Sequence, residues 1–297
     1  MSLISRERNT WLELWERAKK VFTRRNKKIG SIGEKKSYVS WRKYGVFRDF
    51  ADKDGEKRHQ RELSQIKKLI RPDFAVIDVG AGDGRLTIPV ARMCNFICAI
   101  EPYKPFIKYL EKKAAQEGVH NIKFINKNWE DVNLRTKYDL VICAWGPFDD
   151  RDSLLKIHNS SRKYCVIFTW FGYRLLSPES KYGTAYSRGV GYMYDEIYRL
   201  ITGRRSIRET PYMHVISALY REGIYANVQT TLRSKFTEKY NNIDQAMTKW
   251  IKYVSRFKNV SKRDKKKLWE YYHEQMNRDG TLVVETEKTD GAIWWEV

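Results

Sequence analysis

The chain has 297 residues, and its 42% hydrophobic content is ample for one large packed domain or for a domain with additions. It contains no run of about eighteen apolar residues, which excludes a membrane-spanning helix, and no apolar stretch near its N-terminus that would act as a secretory signal. Its four cysteines fall in or beside predicted strands and helix ends, so they are interpreted as buried thiols of a reduced, cytoplasmic protein with no metal site.

The net charge of +21 is concentrated in the two ends of the chain. Residues 1–72 carry 21 Lys and Arg against 9 Asp and Glu, whereas residues 73–170 carry 14 against 12. Residues 171–297 carry 22 against 15. A nearly neutral centre with basic flanks suits a polyanionic partner, RNA first, although a lysine-rich surface that serves solubility explains the same numbers.

Residues 1–48 are predicted to form a basic, helical N-terminal extension. Over residues 1–28, large apolar side chains recur at helical spacing with basic residues between them: Trp11, Leu14, Trp15, Ala18, Val21 and Phe22. Residues 1–48 hold 14 basic against 4 acidic side chains, the densest bias in the protein. The extension either faces a nucleic acid or docks by its tryptophan stripe and leaves a solvated basic face.

A helix over Arg58 to Ile70 and a buried strand over Phe74 to Val79 come next. The helix is amphipathic, and Pro72 ends it. His59 lies near its start and is interpreted as an exposed or capping histidine. The strand is short, β-branched and followed by glycines, as buried parallel strands are. The predicted inward side chains of the helix are Leu63, Ile66, Leu69 and Ile70.

A glycine-rich loop follows this first strand. Gly80, Gly82 and Gly84 allow a sharp turn and the close approach of a ligand to the backbone, as in Rossmann-like sheets. Two acids, Asp78 and Asp83, accompany the glycines. Carboxylates repel the pyrophosphate of a dinucleotide, whereas they attract a sulfonium or an aminium. The loop therefore favours a positively charged nucleotide-type ligand over NAD.

A second buried strand, Phe96 to Ile100, ends in Glu101. In an open parallel sheet, a carboxylate at this strand tip accepts hydrogen bonds from the ribose hydroxyls of a bound nucleotide. Glu101 follows Gly82 by 19 residues, which fits that role. Pro102 then begins the turn into a helix over Pro105 to Gly118.

Strand and helix patterns continue to the C-terminus, with a turn predicted at Asp290-Gly291. The further predicted strands are Ile122 to Ile125, Tyr138 to Ala144, Tyr164 to Trp170, Ala226 to Phe236, Thr281 to Glu287 and Ala292 to Val297. The further predicted helices are Leu86 to Met93, Ser153 to Ser161, Tyr212 to Glu222, Asp244 to Phe257 and Ser261 to Met276.

The glycine loop with Asp78, the acid Glu101 and the Asn128-Trp129 turn after the third strand together resemble the class I S-adenosylmethionine-dependent methyltransferases. The resemblance implies S-adenosylmethionine as cofactor and S-adenosylhomocysteine as product. In the family, the turn after strand three carries a polar side chain to the adenine amino group, here Asn128 or Glu130, and an apolar one beside the ring, here Trp129. The fourth strand ends where the methyl group points. The implied cofactor contacts are Asp78, Gly80, Ala81, Gly82, Asp83, Gly84, Glu101, Pro102, Asn128, Trp129, Glu130, Ala144 and Trp145.

The resemblance covers about residues 40–297 and implies an α/β fold with a seven-stranded, mostly parallel Rossmann-like sheet whose last strand is antiparallel. Residues 49–297 are expected to form this methyltransferase domain, with an inserted cap after strand five. The segments 171–211 and 237–280 are its expected substrate-side elements, and the first of them is rich in glycine and tyrosine.

Candidate catalytic groups are confined to Asp149 and Asp150, which follow the fourth strand. They either orient or deprotonate an acceptor or serve as acids at the start of the next helix, facing its dipole, and the second interpretation is preferred. The motifs of amino-directed, cytosine-directed and ribose-directed nucleic-acid methyltransferases are absent from the sequence.

Three functions stay open on this evidence. The first is methyl transfer to a small molecule or a protein side chain, and the second is RNA methylation that uses the basic residues 1–48 and 262–267. The third is a non-catalytic protein that binds S-adenosylmethionine and an RNA or protein partner. No membrane partner is expected. Catalysis in the first two cases is an in-line displacement in which the protein holds acceptor and methyl group in line.

Overall fold

The computed structural model describes residues 53–148, 150–175, 197, 199–203, 211–255 and 259–297. The predicted extension at residues 1–48 and most of segment 171–211 lie outside the described residues. The helices are α1 (Lys53–Lys67), α2 (Thr87–Ala91), α3 (Lys104–Gln116), α4 (Arg151–Asn159), α5 (Pro211–Arg221), α6 (Ile243–Val254) and α7 (Lys262–His273). The strands are β1 (Ala75–Val79), β2 (Phe96–Ile100), β3 (Ile122–Ile125), β4 (Tyr138–Ala144), β5 (Ser161–Leu175), β6 (Asn227–Tyr240) and β7 (Leu282–Glu296). None of the helices in these ranges has the length and apolarity needed to cross a bilayer.

The seven strands form one sheet in the order β3-β2-β1-β4-β5-β7-β6. β1 pairs in parallel with β2 on one side and with β4 on the other, so Asp78 lies opposite both Ala99 and Ile142. The pairs β2–β3 and β4–β5 are also parallel, and the last strands are antiparallel, which confirms the predicted fold class. The chain order reverses between β1 and β4. Their carboxyl ends therefore form the switch point at which open α/β sheets bind ligands.

The central strands are apolar because both faces of the sheet are covered. Val76 and Ile77 of β1 are fully buried, and so is β4 from Leu140 to Cys143. Ile66 from α1 and Leu110 from α3 belong to one core cluster with Val76, Leu140 and Ile142. Burial on both faces explains why these strands are continuous apolar runs in the sequence rather than alternating ones.

The C-terminal segment differs from its prediction, because β7 is one strand and not two strands joined by a turn at Asp290-Gly291. Asp290 is 1% exposed, and its Oδ2 accepts a 2.7 Å hydrogen bond from Nε of Arg58 on α1. An aspartate favours a turn when its side chain bonds to the nearby backbone. Here a distant arginine binds the carboxylate, and the strand continues through the pair.

Contacts divide the described residues into two compact units, each with its own apolar core. The core of the second unit contains Trp250 and Tyr272, whose rings stack with centroids 6.0 Å apart. The role of residues 171–211 and 237–280 as substrate-side elements stays a prediction. The first unit comprises the described residues up to Thr169, Pro211–Leu232 and Asp290–Val297; the second comprises those within Trp170–Thr210 and Arg233–Thr289.

The four cysteines are buried, as predicted. Burial raises the pKa of the Cys94 thiol to about 11 and also raises the pKa values of Cys98 and Cys165. A buried thiol with a raised pKa is a poor nucleophile, because the thiolate is the reactive form. These side chains therefore serve the core as small apolar groups.

Candidate cofactor site

The glycine loop between β1 and α2 adopts the conformation that its residues predict. Gly80, Gly82 and Gly84 have φ angles of +78°, +59° and +86°, a region that residues with side chains rarely occupy. A Cβ on Gly84 would stand 2.0 Å from Cδ1 of Leu110 on α3, whereas nothing lies within 4 Å of a Cβ on Gly82. Packing therefore requires Gly84, and Gly82 leaves open space beside the backbone.

The loop is fastened to the tip of β2 by its own backbone. The N–H groups of Gly80 and Ala81 both donate to the carbonyl oxygen of Ile100, the last residue of β2, at 2.9 Å each. The turn is therefore held over the neighbouring strand, at the point where Glu101 follows.

Glu101, the predicted ribose-binding acid, contacts the loop directly. Its Oε2 accepts the backbone N–H of Gly82 at 3.1 Å, and its Oε1 accepts the N–H of Tyr103 at 2.8 Å. Glu101 is 8% exposed, and this burial raises its pKa, as does the negative charge of Asp83. The loop and the acid thus form one structure at the ends of two adjacent strands.

Asp78 is buried beneath the loop. It is 2% exposed, and its Oδ2 accepts a 2.7 Å hydrogen bond from the hydroxyl of Thr87 at the start of α2. Burial raises the pKa of Asp78 to about 6; the hydrogen bond from Thr87 and the charge of Arg85 oppose this shift, and the charge of Glu101 adds to it. The carboxylate of Asp78 is used to link β1 to α2. Asp78 therefore attracts a cation at a distance and not by direct contact.

The end of β4 approaches the glycine loop closely. Ala144 ends the strand, and a Cβ on Gly146 would stand 2.8 Å from the carbonyl oxygen of Val79. Trp145 lies between them with a φ of +59°, and its N–H donates to the carbonyl oxygen of Phe168 at 3.0 Å. The backbones that follow β1 and β4 therefore meet at the switch point.

Side chains on α1 reach both loops, and sequence reasoning missed the part that Glu62 plays there. Glu62 is 1% exposed; its Oε1 accepts a 3.0 Å hydrogen bond from Nε1 of Trp145, and its Oε2 accepts one from the guanidinium of Arg85. His59 is half-buried rather than exposed, with Nδ1 3.3 Å from Nη1 of Arg85. Burial lowers the pKa of His59, and the charge of Arg85 lowers it further.

A signal for Glu62 was present in the helix pattern. Glu62 precedes Ile66 by one helical turn and Leu69 by two, and both of these apolar residues are buried. A glutamate on the apolar stripe of a helix is rarely buried unless it is paired. Its place on that stripe therefore indicates a buried partner, although the pattern does not say which one.

The aromatic side chain of the turn after β3 differs from its prediction. Trp129 is 2% exposed, its Nε1 donates to the carbonyl oxygen of Ser153 at 3.3 Å, and Nζ of Lys156 lies 4.7 Å from the ring centroid. The ring packs against α4, because burying a large indole with its N–H bonded is strongly favourable. The structure does not support a Trp129 ring beside the adenine.

The polar residues of the same turn stay exposed. Asn128 and Glu130 both lie at the surface. Asn126, which sequence reasoning missed, donates through Nδ2 to the carbonyl oxygens of Glu101 and Pro102 at 2.9 Å each. Asn126 thereby ties the end of β3 to the exposed turn that begins at Pro102.

Of the two catalytic candidates, Asp149 lies outside the described residues and Asp150 begins α4. The Oδ1 atom of Asp150 accepts the backbone N–H of Ser153 at 2.9 Å. Asp150 is therefore an acid at the start of the helix, as the preferred interpretation expects, and a catalytic role for Asp149 or Asp150 stays a prediction.

The acids around the loop suit a cationic ligand. The charge of Glu101 raises the pKa of Asp78, and the charge of Asp83 raises that of Glu101, so Glu101 lies close enough to each of the other two carboxylates for repulsion. A pyrophosphate would add to this repulsion, whereas a sulfonium or an aminium would relieve it. Together with the open side of Gly82, the site therefore fits S-adenosylmethionine.

Comparison with known proteins finds a methyltransferase domain in this region. A family model described as a methyltransferase domain matches residues 76–160. An uncharacterized protein of Haemophilus influenzae is 22% identical over 236 residues, which covers 77% of this chain and 78% of that relative. A protein of Methanocaldococcus jannaschii named as a probable cobalt-precorrin-6B C(15)-methyltransferase (decarboxylating) is 32% identical over 76 residues, which covers 26% of this chain and 42% of that relative.

Two solved structures illustrate the structural comparison. The YcgJ protein of Bacillus subtilis aligns with a TM-score of 0.47 and 14% identity, covering 79% of this chain and 98% of that one. The magnesium protoporphyrin IX methyltransferase of Synechocystis, solved with bound S-adenosylhomocysteine, aligns with a TM-score of 0.46 and 17% identity. The alignment covers 66% of this chain and 88% of that one. The family match shows that the chain contains a methyltransferase domain at residues 76–160, and its strand order and acid-bearing glycine loop resemble those of the class I S-adenosylmethionine-dependent methyltransferases.

Proposed function

We propose that the protein binds S-adenosylmethionine in the crevice at the switch point and transfers its methyl group to a small molecule or a protein side chain. The observation that carries this proposal is the cluster of Asp78, Asp83 and Glu101 around an open glycine loop. The bound cofactor supplies a methyl group that is already activated on sulfur.

Different residues of the site bind different parts of the cofactor. Glu101 accepts the ribose hydroxyls, since a carboxylate oxygen that bonds to one backbone N–H keeps a second lone pair. The loop Gly80 to Gly84 lies against the ligand with its open side at Gly82. Asn128 or Glu130 reaches the adenine amino group from the exposed turn after β3.

Ala144 and Trp145 at the tip of β4 define the methyl-bearing end in this proposal. β4 lies beside β1 on the side opposite β2 and Glu101, so a ligand held at Glu101 and crossing the glycine loop extends toward β4. With an activated methyl group, the protein contributes mainly by holding the acceptor in line and by excluding water.

The experiment uses S-adenosylmethionine with a tritiated methyl group. The wild-type chain is incubated with cell extract separated into small-molecule, protein and RNA fractions, and the label in each fraction is counted. We expect label in the small-molecule or protein fraction, and its loss with Glu101→Ala. Glu117→Ala is the matched control, because Glu117 is an exposed acid paired with Arg92 away from the loop. Cofactor binding without labelling of any fraction would contradict transfer and favour the non-catalytic function.

RNA methylation is a second candidate, and one observation favours it. Trp269 on α7 is 43% exposed and stacks on His273 with ring centroids 4.3 Å apart. Cations near a helix N-terminus are opposed by the helix dipole, so their presence there does not serve the helix. Exposed cations beside an exposed aromatic ring suit a single-stranded nucleic acid. The exposed cations of the first turns of α7 are Lys262, Arg263, Lys265 and Lys266.

Salt dependence tests this second candidate. The affinity for a single-stranded RNA is measured by fluorescence anisotropy at several salt concentrations. Each phosphate neutralised contributes about 0.7 to the slope of log affinity against log salt, so Lys262→Gln with Lys266→Gln should flatten the slope by about 1.4. Lys108→Gln with Lys112→Gln, on the exposed side of α3, should leave it unchanged. A flat wild-type response, or equal effects of the two pairs, would contradict RNA binding by α7.

A further inference from the structure

A buried glutamate on α1 connects the two loops of the site. Glu62 is 1% exposed, yet its carboxylate carries two bonds: Oε1 accepts from Nε1 of Trp145 at 3.0 Å, and Oε2 accepts from Arg85. Arg85 follows the glycine loop directly, and Trp145 follows β4 directly. One side chain on α1 is therefore bonded to the segments that follow β1 and β4.

Trp145 has an unusual backbone. Among the residues that the structure describes, it is the one non-glycine residue with a positive φ, at +59°. A tryptophan in this region is strained, and such strain persists only where surrounding contacts determine it. Its N–H donates to Phe168, and its indole N–H donates to Glu62. The guanidinium of Arg58 lies 5.7 Å from its ring centroid.

The helix that carries Glu62 is itself anchored near this position. Nε of Arg58 donates to Oδ2 of the buried Asp290 at 2.7 Å, which fixes α1 to β7. Nδ1 of His59, on the same helix, lies 3.3 Å from Nη1 of Arg85. Because its helix is held at several points, Glu62 is a fixed acceptor and not a mobile surface acid.

We propose that Glu62 is a positioning residue that holds Trp145 in its strained conformation at the methyl-bearing end of the site. This inference rests on the proposed function, since it assigns the tip of β4 to that end. Gly146, the residue after Trp145, packs against the carbonyl oxygen of Val79 and against Gly80. A relaxed Trp145 would therefore displace the backbone beside the glycine loop.

The expected consequence is a change in discrimination between cofactor and product. S-adenosylmethionine and S-adenosylhomocysteine differ by the methyl group and the positive charge on sulfur, so only contacts at that end distinguish them. A general loosening of the fold would weaken the binding of both ligands by the same factor. The ratio of the two dissociation constants therefore reports on Trp145 and not on stability.

The experiment measures both dissociation constants by calorimetry for the wild-type chain, Glu62→Leu, Trp145→Phe and the double variant. Leu removes both acceptor oxygens of Glu62 and Phe removes the indole N–H while keeping an aromatic ring, and thermal unfolding verifies that each variant is folded. We expect each single substitution to change the ratio by about two- to tenfold, the range for one hydrogen bond. The double variant should change it no more than either single one, because both remove the same contact. Glu56→Gln, an exposed acid on the same helix, should leave the ratio unchanged.

Two outcomes overturn the inference and separate it from the proposed function. An unchanged ratio in Glu62→Leu with normal wild-type binding, or additive effects in the double variant, would show that Glu62 does not act through Trp145. Absence of binding of either ligand to the folded wild-type chain would overturn the proposed function itself.

Discussion

The buried carboxyl of Asp78 is costly to ionise in the folded chain without a ligand. Its pKa is raised from 3.8 to about 6, so between these pH values the folded state binds more protons than the unfolded state. The free energy of unfolding therefore falls as the pH rises through this window and stays lowered above pH 6. A cationic ligand offsets this cost, as expected of a functional carboxylate.

Asp78→Asn should stabilise the ligand-free protein above pH 6. The amide cannot ionise, and its oxygen still accepts from Thr87, so we expect a gain on the order of 1–3 kcal/mol at pH 8 and little difference near pH 4. Urea unfolding at both pH values measures this difference. A less stable variant at pH 8 would show that ionised Asp78 stabilises the fold instead.

Two alanine substitutions in the loop should act on different properties. Gly84→Ala places a Cβ 2.0 Å from Cδ1 of Leu110 at a φ of +86°, so we expect a loss on the order of 2–5 kcal/mol from overpacking and strain. Gly82→Ala meets only open space, so strain alone should cost about 1–2 kcal/mol, while its Cβ obstructs the ligand. Urea unfolding and calorimetry with S-adenosylmethionine distinguish the two. Similar stability losses in both variants would contradict this division.

The contact between α4 and β7 should make stability sensitive to mild acid. Nε1 of the buried Trp295 donates to Nδ1 of His158 at 3.1 Å, which requires an unprotonated nitrogen. Burial lowers the pKa of His158, and the charge of Lys137 lowers it further. The unfolded state therefore takes up this proton first, and stability is lost as the pH falls through the ordinary histidine range near 6.5.

His158→Gln tests this contact, because glutamine offers an acceptor that does not titrate. We expect the free energy of unfolding to fall less between pH 7.5 and 5 in this variant than in the wild-type chain. His120→Gln, at an exposed histidine, is the control and should follow the wild-type curve. Parallel curves for the wild-type chain and His158→Gln would refute the assignment.

The turn after β3 should serve packing through its tryptophan. Trp129→Leu removes the indole from beneath α4, so we expect a loss of about 2–4 kcal/mol in the free energy of unfolding. The affinity for S-adenosylmethionine should change by less than about twofold, since the ring does not face a ligand. Urea unfolding and calorimetry give both numbers. A tenfold lower affinity for S-adenosylmethionine with an unchanged free energy of unfolding would show instead that the Trp129 ring contacts the adenine.

Elements are predictable where the local pattern and the tertiary surroundings agree. β2 and β4 have the predicted bounds because they are continuous apolar runs with both faces buried. β7 was predicted wrongly because the Asp290-Gly291 pair is a turn signal, and the arginine that holds Asp290 inside the strand is 232 residues away. Trp129 shows the same limit, since its burial depends on α4 and not on its neighbours in sequence.

The site as a whole combines a local motif with contacts between distant parts of the chain. The glycine loop and Glu101 were predictable because the residues responsible lie in one short stretch of sequence and at one strand end. The bond from Glu62 to Trp145 spans 83 residues and was not predictable, because pairing a buried acid with its donor requires the packing of α1 on the sheet. The sheet therefore positions the glycine loop and Glu101, and α1 holds the segment at Trp145 beside them.

Calorimetric titration of S-adenosylmethionine into the wild-type chain and into Glu101→Gln decides whether the glycine loop and Glu101 bind this cofactor. We expect binding to the wild-type chain, weakened about 10- to 100-fold in Glu101→Gln as the charge-assisted bonds to the ribose are lost. We expect no comparable binding of NAD, whose pyrophosphate the acids repel. Equal affinity of the two chains for S-adenosylmethionine, or tight binding of NAD to the wild-type chain, would contradict this assignment of the site.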